Sequence, residues 1–329
     1  MRPIVLQAHE RPISFVTYSF DGDLIFSCGK DGQVACSFTS DGKVAAKYDA
    51  GKAAVWNCDP SLDGRILIMS SADQKCVSFD IETGSTIATY QTSGTSRFVE
   101  FNRCYDHQDK FVVAVDQFFP EPRHLLIKKV GDSSSEGLRI TGINSRIIRA
   151  HWGIFDRNII SGHEDGGIYI WDIRQNSEPL DVIKAHSKLL TCCSFVEDRT
   201  LMLTCSHDMT AKLWDIVNLK EIRRYTTNRL LNGCSISPKF NCNDSPRRHI
   251  LLGGGQLAQD VTTTGAQEGK FQTLILHMVY GNELGAIKGH FGTMNALTFS
   301  PDGMGFTTGG EDGFVRINHF DDEYLKLDP

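Results

Sequence analysis

TCSHDMTAKLWD, residues 204–215, reads as a β-hairpin. Two short runs rich in Thr, Cys, Leu and Trp flank His207, Asp208 and Met209, a polar break of the kind that turns a chain back on itself. Working outward, "LTCCSFV" and the turn "EDRT" precede the strand "LMLTCS", and the turn "VNLK" leads from "TAKLWDI" into "EIRRYT". The unit is four short strands, rich in β-branched and aromatic residues, separated by Asp- and Asn-containing turns.

The same pattern recurs. SGHEDGGIYIWD (161–172) matches it in register, and MSSADQKCVSFD (69–80) matches with Phe in place of Trp. SCGKDGQVACSF (27–38) and TGGEDGFVRINH (308–319) match in their first halves. The aligned aspartates are Asp31, Asp73, Asp165, Asp208 and Asp312. Asp31 to Asp73 is 42 residues and Asp165 to Asp208 is 43. Asp73 to Asp165 is 92, which leaves room for a degenerate third copy around Asp116, in "DKFVVAVDQFFPEPRHLLIKKV". Asp208 to Asp312 is 104, which holds a sixth copy with an insertion of about 18 residues.

Seven copies with a period of roughly 40–45 residues resemble the WD-repeat β-propellers, with four strands per blade. The resemblance implies an all-β fold: one seven-bladed ring spanning residues 1–329. The last copy stops one strand short, and "RPIVLQ" at the start is a strand with no blade of its own. Pro3–Gln7 is therefore expected to supply the outer strand of blade seven and close the ring.

His9, His186 and His290 each precede an aspartate (Asp31, Asp208, Asp312) by 22 residues, and Ser27, Thr204 and Thr308 stand four before the same aspartates. Ser, His and Asp together could suggest a nucleophilic triad. A catalytic set is normally built once, whereas this one recurs copy after copy. The WD-repeat resemblance implies a structural role instead: carboxylate to imidazole, imidazole to hydroxyl, hydroxyl to indole N–H. Copy five holds the full set, His186, Thr204, Asp208 and Trp214. Copies one and seven carry Ser37 and Asn318 in place of the Trp. Copy four has Ser161, Asp165 and Trp171 with Ser145 near the histidine position, and its His151 and His163 read as ordinary strand and turn residues. Copy two has Lys52 and Met69 where the histidine and hydroxyl would stand, so copies two, three and six are expected to lean on apolar packing.

Composition narrows the class. The chain has 329 residues, 22% charged and 40% hydrophobic, as in ordinary globular proteins. Its net charge of −6 disfavours stand-alone nucleic-acid binding. No apolar stretch is long enough for a signal-peptide core or a membrane span. Ten scattered cysteines without a C-x-x-C pair read as reduced thiols in a cytoplasmic setting. No cofactor or metal is expected.

GGGQLAQDVTTTGAQEGKF (253–271), the insertion in copy six, invites comparison with a phosphate-binding loop. Such a loop needs G-x-x-x-x-G-K-[ST] and a following helix. Between Gly265 and Gly269 there are only three residues, Phe271 stands where the hydroxyl should be, and a strand follows. The expected reading is a long surface turn.

That same stretch, with IKGHFGTMNALTFSPDGMGFTTGGEDGFVRINHF (287–320) and MRPIVLQAHERPISFVTYSFDGDLIFSCGKD (1–31), resembles the subunit i family of eukaryotic translation initiation factor 3. The similarity runs the whole chain in order and is strongest in copies one, six and seven. Residues 91–149 and the "NCNDSPRR" stretch depart from it. The resemblance implies a non-catalytic scaffold within that factor, with subunits b and g as neighbours and the small ribosomal subunit reached through the complex. It also implies a helix of subunit b docked near the junction of copies five and six, where Leu219, Tyr225, Asn228, Arg229 and Leu231 are the candidate contacts. The alternatives are a cytosolic adaptor related to receptor-associated signalling propellers, or an enzyme using the propeller channel. The copy-six loop argues against the first, and no non-repeating nucleophile, carboxylate pair or metal cluster supports the second.

Overall fold

The computed structural model describes residues 3–104, 107–175, 177–242, 246–256, 271–321 and 324. Its strands form seven antiparallel four-stranded sheets. Blade one is β2 (Ile13–Tyr18), β3 (Leu24–Gly29), β4 (Gln33–Phe38) and β5 (Val44–Asp49), the second to fifth strands of the chain. Blade two is β6 (Val55–Pro60) to β9 (Thr86–Gln91), blade three β10 (Ser96–Phe101) to β13 (Leu138–Ile140), and blade four β14 (Ile147–Trp152) to β17 (Asp181–Lys184). Blade five is β18 (Leu190–Phe195), β19 (Leu201–Ser206), β20 (Thr210–Asp215) and β21 (Lys220–Thr226). Blade six is β22 (Leu230–Ile236), β23 (His249–Gly255), β24 (Gln272–His277) and β25 (Glu283–Lys288).

Blade seven is assembled from both ends of the described chain. β26 (Met294–Phe299), β27 (Gly305–Gly310) and β28 (Val315–His319) are completed by β1 (Ile4–Leu6), with Ile4 opposite Ile317 and Leu6 opposite Val315. Pairing covers an edge that would otherwise expose unpaired N–H and C=O groups. Leu6 and Ile317 also pack with Ile13 and Val16 of blade one.

The burial pattern follows from the layering. Second strands lie inside their own sheet, between its first and third strands, and read almost continuously apolar; β3 is buried at five of its six positions. Fourth strands face solvent on one side: β5, β9 and β21 each bury one tyrosine, Tyr48, Tyr90 and Tyr225, among exposed residues. The apolar clusters sit between blades, as where Phe26 and Tyr48 of blade one meet Leu67 and Phe79 of blade two.

The innermost strands share one irregularity. Each has a bulge near its start, between Ile13 and Phe15, Val55 and Asn57, Ser96 and Phe98, Ile147 and Arg149, Leu190 and Cys192, Leu231 and Gly233, Met294 and Ala296. A bulge leaves one residue unpaired and re-aims its side chain. In blades one, five, six and seven that residue is polar and bonds to the next blade: Ser14 donates to Val55 O, Thr191 to Leu231 O (2.8 Å), Asn232 to Met294 O (3.0 Å) and Asn295 to Ile13 O (2.9 Å). Farther down the same seams, side chains accept the next inner strand's N–H groups. Asn57 takes that of Val99, Asp59 that of Phe101, Glu100 that of Trp152, and Ser235 that of Phe299. These bonds satisfy the inner edges, which have no strand to pair with.

Candidate functional site

The histidine sets lie within the blades. In blade five the Trp214 indole N–H donates to Thr204 Oγ1 at 2.9 Å, Thr204 meets His186 Nε2 at 2.9 Å, and His186 Nδ1 meets Asp208 at 3.1 Å. Blade one repeats this with His9 between Ser27 (2.9 Å) and Asp31 (3.0 Å), and blade seven with His290 between Thr308 (2.9 Å) and Asp312 (3.0 Å). All three histidines are buried. Burial opposes ionisation of Asp208 and Asp312, but hydrogen bonds from Thr210 and His290 respectively, with the adjacent histidine, outweigh it and hold each carboxyl down at about 2. Burial lowers the pKa of His186 and His290. Arg316 adds an ion pair to Asp312 at 2.9 Å.

Blade four differs from the sequence reading. His163 is no ordinary turn residue: it stands two positions after Ser161 on β15 (Asn158–His163) and fills the histidine's place from within the strand. The Trp171 indole donates to Ser161 Oγ (2.7 Å), Ser161 meets His163 Nε2 (2.7 Å), and His163 Nδ1 meets Ser145 O (3.2 Å). Burial pushes the pKa of His163 down to about 4, so it is neutral at physiological pH. Asp165 has no imidazole to orient; it accepts the Tyr169 hydroxyl at 2.9 Å.

Blade three also departs from expectation. Asp116 is not relieved by apolar packing; Arg146 (2.9 Å), Arg123 (3.1 Å) and Arg97 (3.4 Å) converge on it. In blade two, Asp73 pairs with Lys75 at 2.8 Å.

Sequence reasoning missed one non-repeating charged cluster. His151, read as an ordinary strand residue, has Nδ1 3.0 Å from Glu100 Oε1, and Arg199 of blade five reaches the same oxygen at 2.9 Å. Asp59 and Arg103 form the adjacent pair. Burial opposes the charge on Glu100, but Arg199 and His151 hold its carboxyl well below the usual range. The cluster joins blades two to five and is closed to substrate, since Asp59, Glu100 and His151 are all buried. The hint in the sequence was a charged or titratable side chain, Asp59, Glu100 and His151, at the inner-strand position where blades one, five, six and seven carry the hydroxyls Thr17, Ser194, Ser235 and Thr298.

The five candidate partner contacts do not form one patch. Leu231 and Tyr225 are interior, and the Tyr225 hydroxyl donates to Met278 O. Leu219 precedes β21 and Asn228 follows it, so they sit at opposite ends of a strand roughly 20 Å long. Arg229 is half-buried and donates to Gln272 O at 3.3 Å. What does face solvent at this junction is Val217, Ile222, Val279 and Tyr280, at 64%, 54%, 45% and 71% exposure. Arg223 donates to the carbonyls of Val279 and Tyr280, fastening blade five's outer strand to blade six's turn.

Of the inserted loop in blade six, residues 257–270 lie outside the described residues, and so does any bearing they have on phosphate or partner binding. Among the described residues no group of three or more His, Cys, Asp or Glu could hold a metal ion, and no helix is long and apolar enough to cross a membrane.

These features define a seven-bladed WD-repeat propeller whose histidine–aspartate sets are buried in the blades. The EIF3I family profile matches residues 1–328. Proteins named eukaryotic translation initiation factor 3 subunit I in Drosophila melanogaster and Drosophila simulans are 37% identical over 334 aligned residues, covering 99% of both chains. That of Culex quinquefasciatus is 36% identical with the same coverage. The chain belongs to the family of subunit I of eukaryotic translation initiation factor 3.

Proposed function

We propose that the chain is a non-catalytic scaffold subunit of eukaryotic translation initiation factor 3, a single propeller over residues 1–329 that works in the cytoplasm during initiation of protein synthesis. The observation that carries this is the family match along the full length of both chains. The burial of His9, His186 and His290 supports the non-catalytic part, because a substrate cannot reach side chains enclosed between strands. Subunits b and g are the proposed neighbours, with the small ribosomal subunit reached through the assembly.

For subunit b the occupant is an amphipathic helix lying along β21. Such a helix needs an apolar strip with a polar rim. Val217, Ile222 and Tyr280 supply the strip, Arg224, Asn228 and Arg229 the rim, and Tyr225 and Leu231 buttress it from inside. Affinity purification of the full chain from cytosol with mass spectrometry is the test. Recovery of the initiation factor's subunits is expected, and recovery of receptor-signalling partners instead would overturn the reading. The Ile222→Asp, Tyr280→Asp double variant should lose subunit b and keep its fold; unchanged binding would move the site elsewhere. Purified chain that turned over a substrate would refute the non-catalytic part.

A further inference from the structure

The ring of bulges points to a second binding site, on the propeller axis. Where the inner strands converge there is a cavity of about 550 Å³ with walls from all seven blades, and every bulge residue lines it. That size is in the range of small ligand sites, roughly 300–1,000 Å³. Four bulge residues, Ser14, Thr191, Asn232 and Asn295, use their polar groups to bond the next blade. The other three, Trp56, Arg97 and Ile148, belong to consecutive blades and turn one sector of the wall toward the cavity.

The chemistry of that sector is one-sided. The Trp56 indole N–H is buried without a hydrogen-bond partner, and so is Nε of Arg149, the residue after the bulge at Ile148. Arg149 lies over the rings of Phe98 (5.4 Å) and Phe15 (5.6 Å), donates one bond to Ile148 O, and has no carboxylate within ion-pair distance among the described residues. Arg97 stacks 4.8 Å over Trp56 and shares Asp116, at 3.4 Å, with Arg146 and Arg123. The one carboxylate in the wall, Glu311, already holds Lys30 (3.4 Å) and Asn295 (2.9 Å). A chain of net charge −6 thus gathers cations and unanswered donors at one spot. A buried donor without an acceptor is costly, and native structures rarely leave one unless water, an ion or a ligand answers it.

We propose that this axial cavity binds a carboxylate of an acidic peptide segment of a partner protein, held by Arg149, Arg97 and the Trp56 indole. Guanidinium and indole groups donate without accepting, so they select an anion. A nucleic-acid strand needs cations tracking along its backbone, whereas here Lys30 is paired with Glu311 and the remaining cations, Arg97 and Arg149, face one side of a closed ring. This site is separate from the outer surface proposed for subunit b and does not depend on it.

The test is titration of the full chain, 15N-labelled at tryptophan, with an acetylated Leu-Asp-Glu-Asp-Leu amide, following the Trp56 indole resonance assigned through Trp56→Phe. A saturable shift of Trp56, with Trp152, Trp171 and Trp214 unmoved, is expected. Arg149→Gln should weaken binding by about tenfold or more, the loss of a charge-assisted hydrogen bond, and Arg149→Lys should retain part of it. The Asn/Gln version of the peptide should not bind. No shift at millimolar peptide, equal binding by Arg149→Gln, or a shift with inorganic phosphate or short single-stranded RNA but not with the peptide would each overturn the proposal. Should Arg149→Gln fail to fold, Trp56→Phe takes its place, read by anisotropy of labelled peptide: a several-fold loss is expected, and undiminished affinity would count against the site.

Discussion

Ser161 and His163, two positions apart on β15, share a 2.7 Å hydrogen bond that takes the place of the loop histidine found in blades one, five and seven. Side chains at i and i+2 of a strand face the same side, so the strand itself supplies the geometry. The result is a continuous chain from the Trp171 indole to the Ser145 carbonyl with no carboxylate in it. Ser161→Ala would strand both the indole N–H and the imidazole. A loss of about 1–3 kcal/mol is expected in urea unfolding, and an unchanged midpoint would show that the bonds contribute nothing.

The neutral imidazole also makes a pH prediction. His163 is held at about 4 when folded, against an unfolded value near 6.5. The unfolded chain therefore takes up this proton first as pH falls. Stability is unaffected above about 6.5 and declines down to about 4, by up to roughly 3 kcal/mol. His163→Gln should remove that part of the decline, which unfolding curves at pH 7 and 4.5 for both proteins would measure.

In blade five the sign is that of a depressed carboxylate. Asp208 is held at about 2, so its contribution is complete above the unfolded value near 3.9 and is lost as pH falls toward 2. Asp208→Ala takes the carboxylate from His186, whose Nδ1 keeps only Thr210 Oγ1 at 3.1 Å, and about 1–3 kcal/mol should be lost at neutral pH. A melting temperature equal to that of the parent would contradict this.

Glu100 holds His151 and Arg199 together while accepting the Trp152 N–H. Removing one member of a buried charged set leaves the others uncompensated, at about 3–5 kcal/mol. Glu100→Ala should lose at least that much in denaturant unfolding, more than any single change in the histidine sets. A smaller loss than Asp208→Ala would reverse that ranking.

Closure of the ring rests on three residues of β1. Deleting residues 1–8 removes Leu6 from its cluster and bares the outer edge of β28. Aggregation on size-exclusion chromatography or loss of cooperative melting is expected. A monomeric, cooperatively melting truncation would mean that the strand is dispensable.

Sequence alone determined the ring. The recurrence from Asp31 to Asp312, the strand-and-turn pattern of blade five and the unmatched "RPIVLQ" are local or periodic signals, and each reflects a rule that every blade must satisfy separately. The spacing of 22 residues between His186 and Asp208 was legible for the same reason. Tertiary structure decided whatever depends on neighbours that do not recur. The turn of His163 into its own blade's network, the three arginines on Asp116 and the Glu100 cluster bring together side chains 2, 7 to 30 and 51 to 99 residues apart, with no common period. The partner surface followed suit: Tyr225 alternates inward on β21 and Ile222 outward, and only the packing of blade five on blade six fixes which of them meets solvent. The axial cavity is the extreme case, because a one-residue bulge in each inner strand aims Ser14, Trp56, Arg97 and their counterparts at a common axis. A bulge depends on how a strand twists against its partner, and that is set by the closed ring rather than by any single stretch of residues.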